Sequence, residues 1–239
     1  MGEITVFNGK PKAVTFSYDD GVTQDKRLIA LFDKYGVKAT FNLNSALLGK
    51  NGELIREGVR VDHIKNRPEE VRAIYEGHEV AAHTLTHPSL SACDDERVYH
   101  EVEDDRLALS DLCGYEVVGM AYPNGTECVT KHNEEIIRER TGIRYARNTT
   151  SSHSFALQPD LLHFCPTVYH HPEWDALFDL GEKFIDLTPT EPAIFYIWGH
   201  AYEFDIRNDW ARFESFLRLI SNRSDIFYGT NKEVLLAKR

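Results

Sequence analysis

Five residues of this chain could move protons or hold a cation, and they stand in three places. Asp19-Asp20-Gly21 sets two adjacent carboxylates before a glycine that permits a tight turn. His83 and His87, in HTLTHP, are four positions apart, a spacing that lets both rings reach one metal ion if the residues between them form a helical turn. Pro88 works against helix at His87. His200 follows the apolar run AIFYIWG, and Tyr122-Pro123-Asn124-Gly125 is a turn by composition, able to aim a backbone N–H into a site. Taken singly, each has a plainer use: Asp at the start of a helix, two solvent-facing histidines, a structural histidine at a strand end. Taken together, carboxylates and imidazoles of this kind would serve metal-assisted hydrolysis with a general base and a general acid.

The elements that must position them alternate. Ala13 to Tyr18 reads as a strand, and the segment after Gly21 turns helical, with Leu28, Leu31, Phe32 and Tyr35 on one face until Gly36. Lys38 to Leu43 is a second strand, Pro68 to Tyr75 a helix, and Glu79 to Thr84 a third strand. A long helix over Asp95 to Leu112 has one apolar face that Asp105 interrupts. Val117 to Tyr122 and Arg144 to Arg147 are strands around a helix from Thr130 to Arg140. Asn148 to Pro172 lapses into a long loop, expected either to face substrate or to be structural. Regularity returns with a helix near Trp174 to Phe184, the strand Ala193 to Trp198, a helix carrying Phe213, Phe216, Leu217 and Ile220, the strand DIFYG, and a closing helix from about Lys232. Strands alternating with helices imply a parallel sheet covered by helices, closed as a barrel or open and doubly wound. Either architecture puts ligand chemistry at the carboxyl ends of the strands, which is where Asp19, His83, Tyr122 and His200 fall.

Composition narrows the function. With 239 residues, 42% hydrophobic and 27% charged, the chain is expected to form one domain over its whole length, 1–239. A net charge of -11 without a basic run makes nucleic acid a poor partner. No apolar run reaches the length of a membrane span, and the stretch MGEITVFNGKPKAVTF lacks the pattern of a secretory signal. A cytoplasmic location is the expectation, with export after removal of a leader as the alternative. Cys93, Cys113, Cys128 and Cys165 form no CxxC pair and are expected to be free buried thiols.

These residues together resemble a known family. TFSYDDG (Thr15 to Gly21) is similar to the first motif of the polysaccharide deacetylases, carbohydrate esterase family 4 with its NodB-homology domain. HTLTH looks like that family's second motif, and KATFNL like its second strand; with YPNG and His200 the match runs in order from about residue 13 to the end. The resemblance implies a distorted (β/α) barrel of about seven parallel strands and hydrolysis of acetyl groups from a carbohydrate, with a divalent metal, usually Zn2+. Carried over by position, Asp19 would be the base, Asp20, His83 and His87 the metal ligands, Asn124 an oxyanion donor through its backbone N–H, and His200 the acid.

This chain departs from the pattern before Tyr122, where the family usually has an Arg that orients the base and this sequence has Ala121. Arg147, at a neighbouring strand end, is the candidate replacement. The Asp that steadies the family's catalytic histidine has no clear counterpart, and Glu203 and Asp205 are possible substitutes. Trp198 and Tyr202, two residues to either side of His200, could stack on a sugar or pack the core. Two other functions remain open: hydrolysis of a non-acetyl C–N bond such as a cyclic amide, and carbohydrate binding without catalysis.

Overall fold

The computed structural model describes residues 6–238, so the first five residues of the amino-terminal stretch read above lie outside the described residues. Strand β1 (Lys12–Asp19) is buried at all eight positions, as a strand covered on both faces must be. The chain continues through α1 (Asp25–Tyr35), ended by Gly36 at φ 64°, and β2 (Ala39–Leu43). An antiparallel hairpin follows, β3 (Glu53–Arg56) and β4 (Val59–Asp62). Its turn has positive φ at both central residues, Glu57 (53°) and Gly58 (77°), the signature of the hairpin turn whose twist matches that of the strands. The expected helix at 68–75 is only a 3-10 turn over Pro68–Glu70 and one helical turn, α2 (Val71–Ile74).

Alternation then proceeds through β5 (Glu79–Ala82), α3 (Asp95–Cys113), β6 (Gly119–Ala121), α4 (Lys131–Arg140) and β7 (Tyr145–Arg147). The stretch read as a long loop contains a short strand, β8 (Val168–Tyr169). It leads to α5 (Trp174–Asp186), β9 (Ala193–His200), α6 (Glu203–Ile206), α7 (Trp210–Ile220), β10 (Ile226–Tyr228) and α8 (Asn231–Leu235).

All pairings in the main sheet are parallel, in the order β7-β6-β5-β2-β1-β9-β8. The sheet curls into a distorted barrel, as expected, but β8 takes the seventh place. The expected last strand, β10, instead pairs with Lys12–Val14 of β1, whose Phe16–Asp19 pairs with β2. One segment spans the seam between the edge strands. Phe164 donates to Ala146 O and accepts from Asn148 N, both at 3.0 Å, and Val168 then pairs with Ile197 of β9. The core lies between sheet and helices, where Phe16, Phe32, Phe41, Phe213 and Phe216 are buried with Leu28, Val80 and Ile197. All four cysteines are free, but only Cys113 is buried; the other three are half-buried, contrary to expectation. Among the described residues, no helix is long and apolar enough to cross a membrane.

Candidate active site

The carboxyl ends of β1, β5, β6 and β9 open into a cavity of about 650 Å³ whose lining includes Asp19, Asp20, His83, His87, Tyr122, Asn124, Trp198, His200 and Tyr202. Asp19 is the last residue of β1, and Asp20 beyond it has φ 86°, a left-handed turn that sends the two carboxylates to different partners. A side chain at Gly21, where φ is 63°, would come within 2.7 Å of Leu43, so the turn needs the glycine.

Arg147, fully buried at the end of β7, donates from one guanidinium nitrogen to both oxygens of Asp19, at 2.6 and 2.5 Å. Asn42 on β2 adds a third bond at 2.7 Å. Burial alone would raise the Asp19 carboxyl, but the Arg147 guanidinium beside it leads the opposing charges, which outweigh burial and hold the group below its ordinary value. The guanidinium thus pairs with the carboxylate that the absent Arg before Tyr122 was expected to orient.

Asp20 faces the other way. Its carboxylate lies 3.1 Å from His63 Nε2, 3.2 Å from Lys65 Nζ and 4.0 Å from His87 Nε2. Burial opposes ionisation here too, yet the His63 hydrogen bond and the Lys65 charge hold this carboxyl well below the carboxylate range. Asp20, His83 and His87 each offer one ligand atom, and the three atoms lie within 4.8 Å of one another, a fit for a single divalent cation. His83 Nδ1 is 2.8 Å from the carbonyl of Ala121, which can only accept. The proton is thereby fixed on Nδ1 and the Nε2 lone pair is free, as a metal ligand requires. Burial pushes the His83 imidazole down to about 4, against the pull of the Asp19 carboxylate, so the ring is neutral at pH 7.

The HTLTH segment is a loop rather than the helical turn entertained above: Thr84 and His87 have φ of 67° and 60°. The rings still meet, their centroids 4.9 Å apart. What holds the loop is α3. Asp105, the residue that interrupts its apolar face, accepts from the backbone of His83 at 3.0 Å and from Ser45 at 2.7 and 2.6 Å. One turn earlier, Glu101 accepts from Thr86 at 2.9 and 2.6 Å. A carboxylate on a buried helix face was the legible sign of this support.

His200 ends β9, and Glu203 in α6 lies 3.2 Å from its Nδ1 while accepting from its backbone N–H at 3.0 Å. Of Glu203 and Asp205, the two substitutes for the Asp that steadies the family's histidine, Glu203 is therefore the one at His200; Asp205 instead accepts from Trp210 and Gln24. Desolvation would lower the His200 pKa, but the Glu203 carboxylate reverses this and raises it. Glu203 itself, although buried, is held down to about 2 by His200 and the hydroxyl of Tyr169.

Three of the expected residues sit at the cavity differently. The Tyr122 hydroxyl donates to Leu162 O at 2.9 Å, and its backbone N–H to Arg147 O at 2.9 Å, so only its ring borders the site. Trp198 has Tyr169 stacked on it at 4.0 Å and the Arg147 guanidinium 4.3 Å from its centroid. Its ring is thus packed against side chains and only 4% exposed. Asn124, at φ 67°, donates from its side chain to His87 O at 3.1 Å.

The hairpin brings residues that the sequence reading left unassigned. His63, Lys65, Leu54 and Arg56 line the cavity, and Arg56 donates to the hydroxyls of Tyr202 and Tyr169, both at 3.1 Å. The signal for the hairpin was present in ELIREGVRVD, two β-prone runs around Glu-Gly, but nothing local said that it borders the cavity.

Residues 8–146 match the family described as polysaccharide deacetylase. A chitooligosaccharide deacetylase of Bradyrhizobium is 32% identical over 106 residues, 43% of this chain and 41% of that protein. The chain spans less than half the length of the curated relatives it matches. Among solved structures, a Mycobacterium smegmatis protein assigned to the polysaccharide deacetylases superposes with a TM-score of 0.69 at 16% identity, covering 95% of this chain and 90% of that one. An allantoinase superposes with a TM-score of 0.66 at 12% identity, over 94% of this chain and 88% of that one. At such identities both likenesses concern the fold alone.

Proposed function

The chain belongs to the polysaccharide deacetylase family, and we propose that it removes N- or O-linked acetyl groups from a carbohydrate by metal-dependent hydrolysis in this cavity. The observation that carries the reading is the division of labour between two consecutive carboxylates. Asp19 is locked to Arg147 and Asn42, while Asp20 joins His83 and His87 in a set that fits one cation.

Asp20, His83 and His87 would hold the metal, with Zn2+ the ion best suited to two imidazoles and a carboxylate. Such an ion supplies a Lewis acid and makes water more acidic. Asp19 takes the proton of the attacking water. Held below its ordinary pKa, it is ionised throughout the neutral range but is a weak base, so it depends on that gain in acidity. Arg147 fixes its direction. Water adds to the acetyl carbonyl, the Asn124 backbone N–H steadies the charge that develops on oxygen, and the C–N or C–O bond breaks as His200 gives its proton to the departing sugar atom. Glu203 keeps His200 protonated for that step. Acetate and the deacetylated sugar result.

The test is acetate release from a panel of N-acetyl and O-acetyl saccharides, with and without chelator. Release that chelator abolishes and Zn2+ restores is expected. Chelator-insensitive release overturns the metal-dependent mechanism, and ring opening of a cyclic amide without acetate release from any sugar overturns the substrate class.

A further inference from the structure

Three more ligating side chains meet where the cavity does not reach. His170, His171 and Glu203 are 0%, 3% and 0% exposed, and each offers one ligand atom within 4.8 Å of the other two. His170 Nε2 lies 3.7 Å from Glu203 Oε2. Neither His170 Nε2 nor His171 Nδ1 has a hydrogen-bond partner among the described residues, although both atoms are buried. Two orphaned imidazole nitrogens in an interior are costly unless something supplies their missing partners.

The other ring nitrogens are already engaged. His170 Nδ1 lies 3.3 Å from Trp198 O and 3.5 Å from the Tyr18 hydroxyl, and His171 Nε2 lies 2.9 Å from Glu57 Oε1. That is the arrangement of metal-ligating histidines, in which the far nitrogen donates to a carbonyl or carboxylate and the near one keeps its lone pair. The chain also leaves space for it: a Cβ at Gly199 would fall 1.9 Å from His170 Nδ1, so any other residue there would displace the ring. His170 is held besides by stacking on Phe204, with centroids 4.5 Å apart.

We propose that His170, His171 and Glu203 form a second, buried site for a divalent cation, separate from the Asp20, His83 and His87 set and structural in role. Two neutral imidazoles and one carboxylate select Zn2+ over the hard, oxygen-seeking ions. The ion would join the end of β8 to α6 and so fix the carboxylate that faces His200. A buried water is the competing occupant, since it too would satisfy the orphaned nitrogens.

Metal counting separates them. The full chain, equilibrated with Zn2+ and freed of excess by gel filtration, is expected to hold two equivalents by elemental analysis. A His83→Ala/His87→Ala variant leaves the buried cluster untouched and should keep one equivalent. Loaded with Co2+, it should show the visible bands of an ion on imidazole ligands. His171→Ala should lose the buried equivalent and keep the other. One equivalent in the full chain that disappears in His83→Ala/His87→Ala, or a Co2+ spectrum no different from the aqueous ion, overturns the proposal and leaves a water in the cluster. One equivalent that survives His83→Ala/His87→Ala upholds this site while sinking the metal reading of the cavity.

Discussion

Lys12 and Asp19 stand at the two ends of β1, both buried. Lys12 donates to Phe184 O at 3.1 Å and Ile185 O at 2.9 Å, and pairs with Asp225 at 2.7 Å. Two strands away, at the start of β5, the Glu79 carboxylate is also fully met: it accepts from Tyr145, Thr40 and the backbone of Lys232, at 2.7 to 2.9 Å. At the other end, Arg147 Nε, Asn42 Oδ1 and Asn44 Oδ1 are buried without partners among the described residues. Four residues there other than glycine have positive φ: Asp20, Thr84, His87 and Asn124. A buried charge is thus no mark of function in itself. What distinguishes the carboxyl end is incomplete hydrogen bonding beside a cavity, a feature that a fold retains where a ligand completes the arrangement.

That contrast can be broken. The largest expected effect is from Asp19→Asn, which should cost activity by roughly two to four orders of magnitude while metal content and fold persist. Near-normal turnover would remove Asp19 from the base role. His83→Ala should empty the cavity site of metal, and unchanged content by elemental analysis would exclude it as a ligand. Glu203→Gln sharpens the contrast through pH. Glu203 raises the His200 pKa, and a general acid works only while protonated, so activity falls as pH rises through that pKa. Removing the charge should move this alkaline limb of kcat/KM to lower pH; an unmoved limb means that Glu203 does not tune His200. The smallest effect on turnover belongs to the opposite end. Lys12→Met leaves two carbonyls without their donor and should lower unfolding free energy by about 1 to 3 kcal/mol in denaturant titration, with kcat per folded chain unchanged. A loss of kcat without loss of stability would erase the distinction between the two ends.

Much of the site was legible because its residues sit beside strong local signals. Apolar runs bounded by Gly, Asp and His marked the strands, and Asp19, Asp20, His83 and His200 were placed by their position at the strand ends. The hairpin over the cavity was not, since the alternation in Glu53–Arg56 and Val59–Asp62 names two paired strands without saying what they cover. Tyr169 was lost in a stretch whose strand has only two residues, too short to show a period. His63 and Lys65 carry no pattern of their own, and their meaning comes from the carboxylate of Asp20 beside them.

The sequence by itself determined the alternation of the longer strands and helices and which strand ends carry carboxylates and imidazoles, because hydrophobic periodicity and turn residues act over a few neighbouring positions. Only the tertiary structure decided which of those ends meet. Arg147 reaches Asp19 across 128 positions of chain. That contact depends on the curl of the sheet, the register of β7 against β6, and a seam closed by Phe164 and Val168, each a product of packing between distant segments.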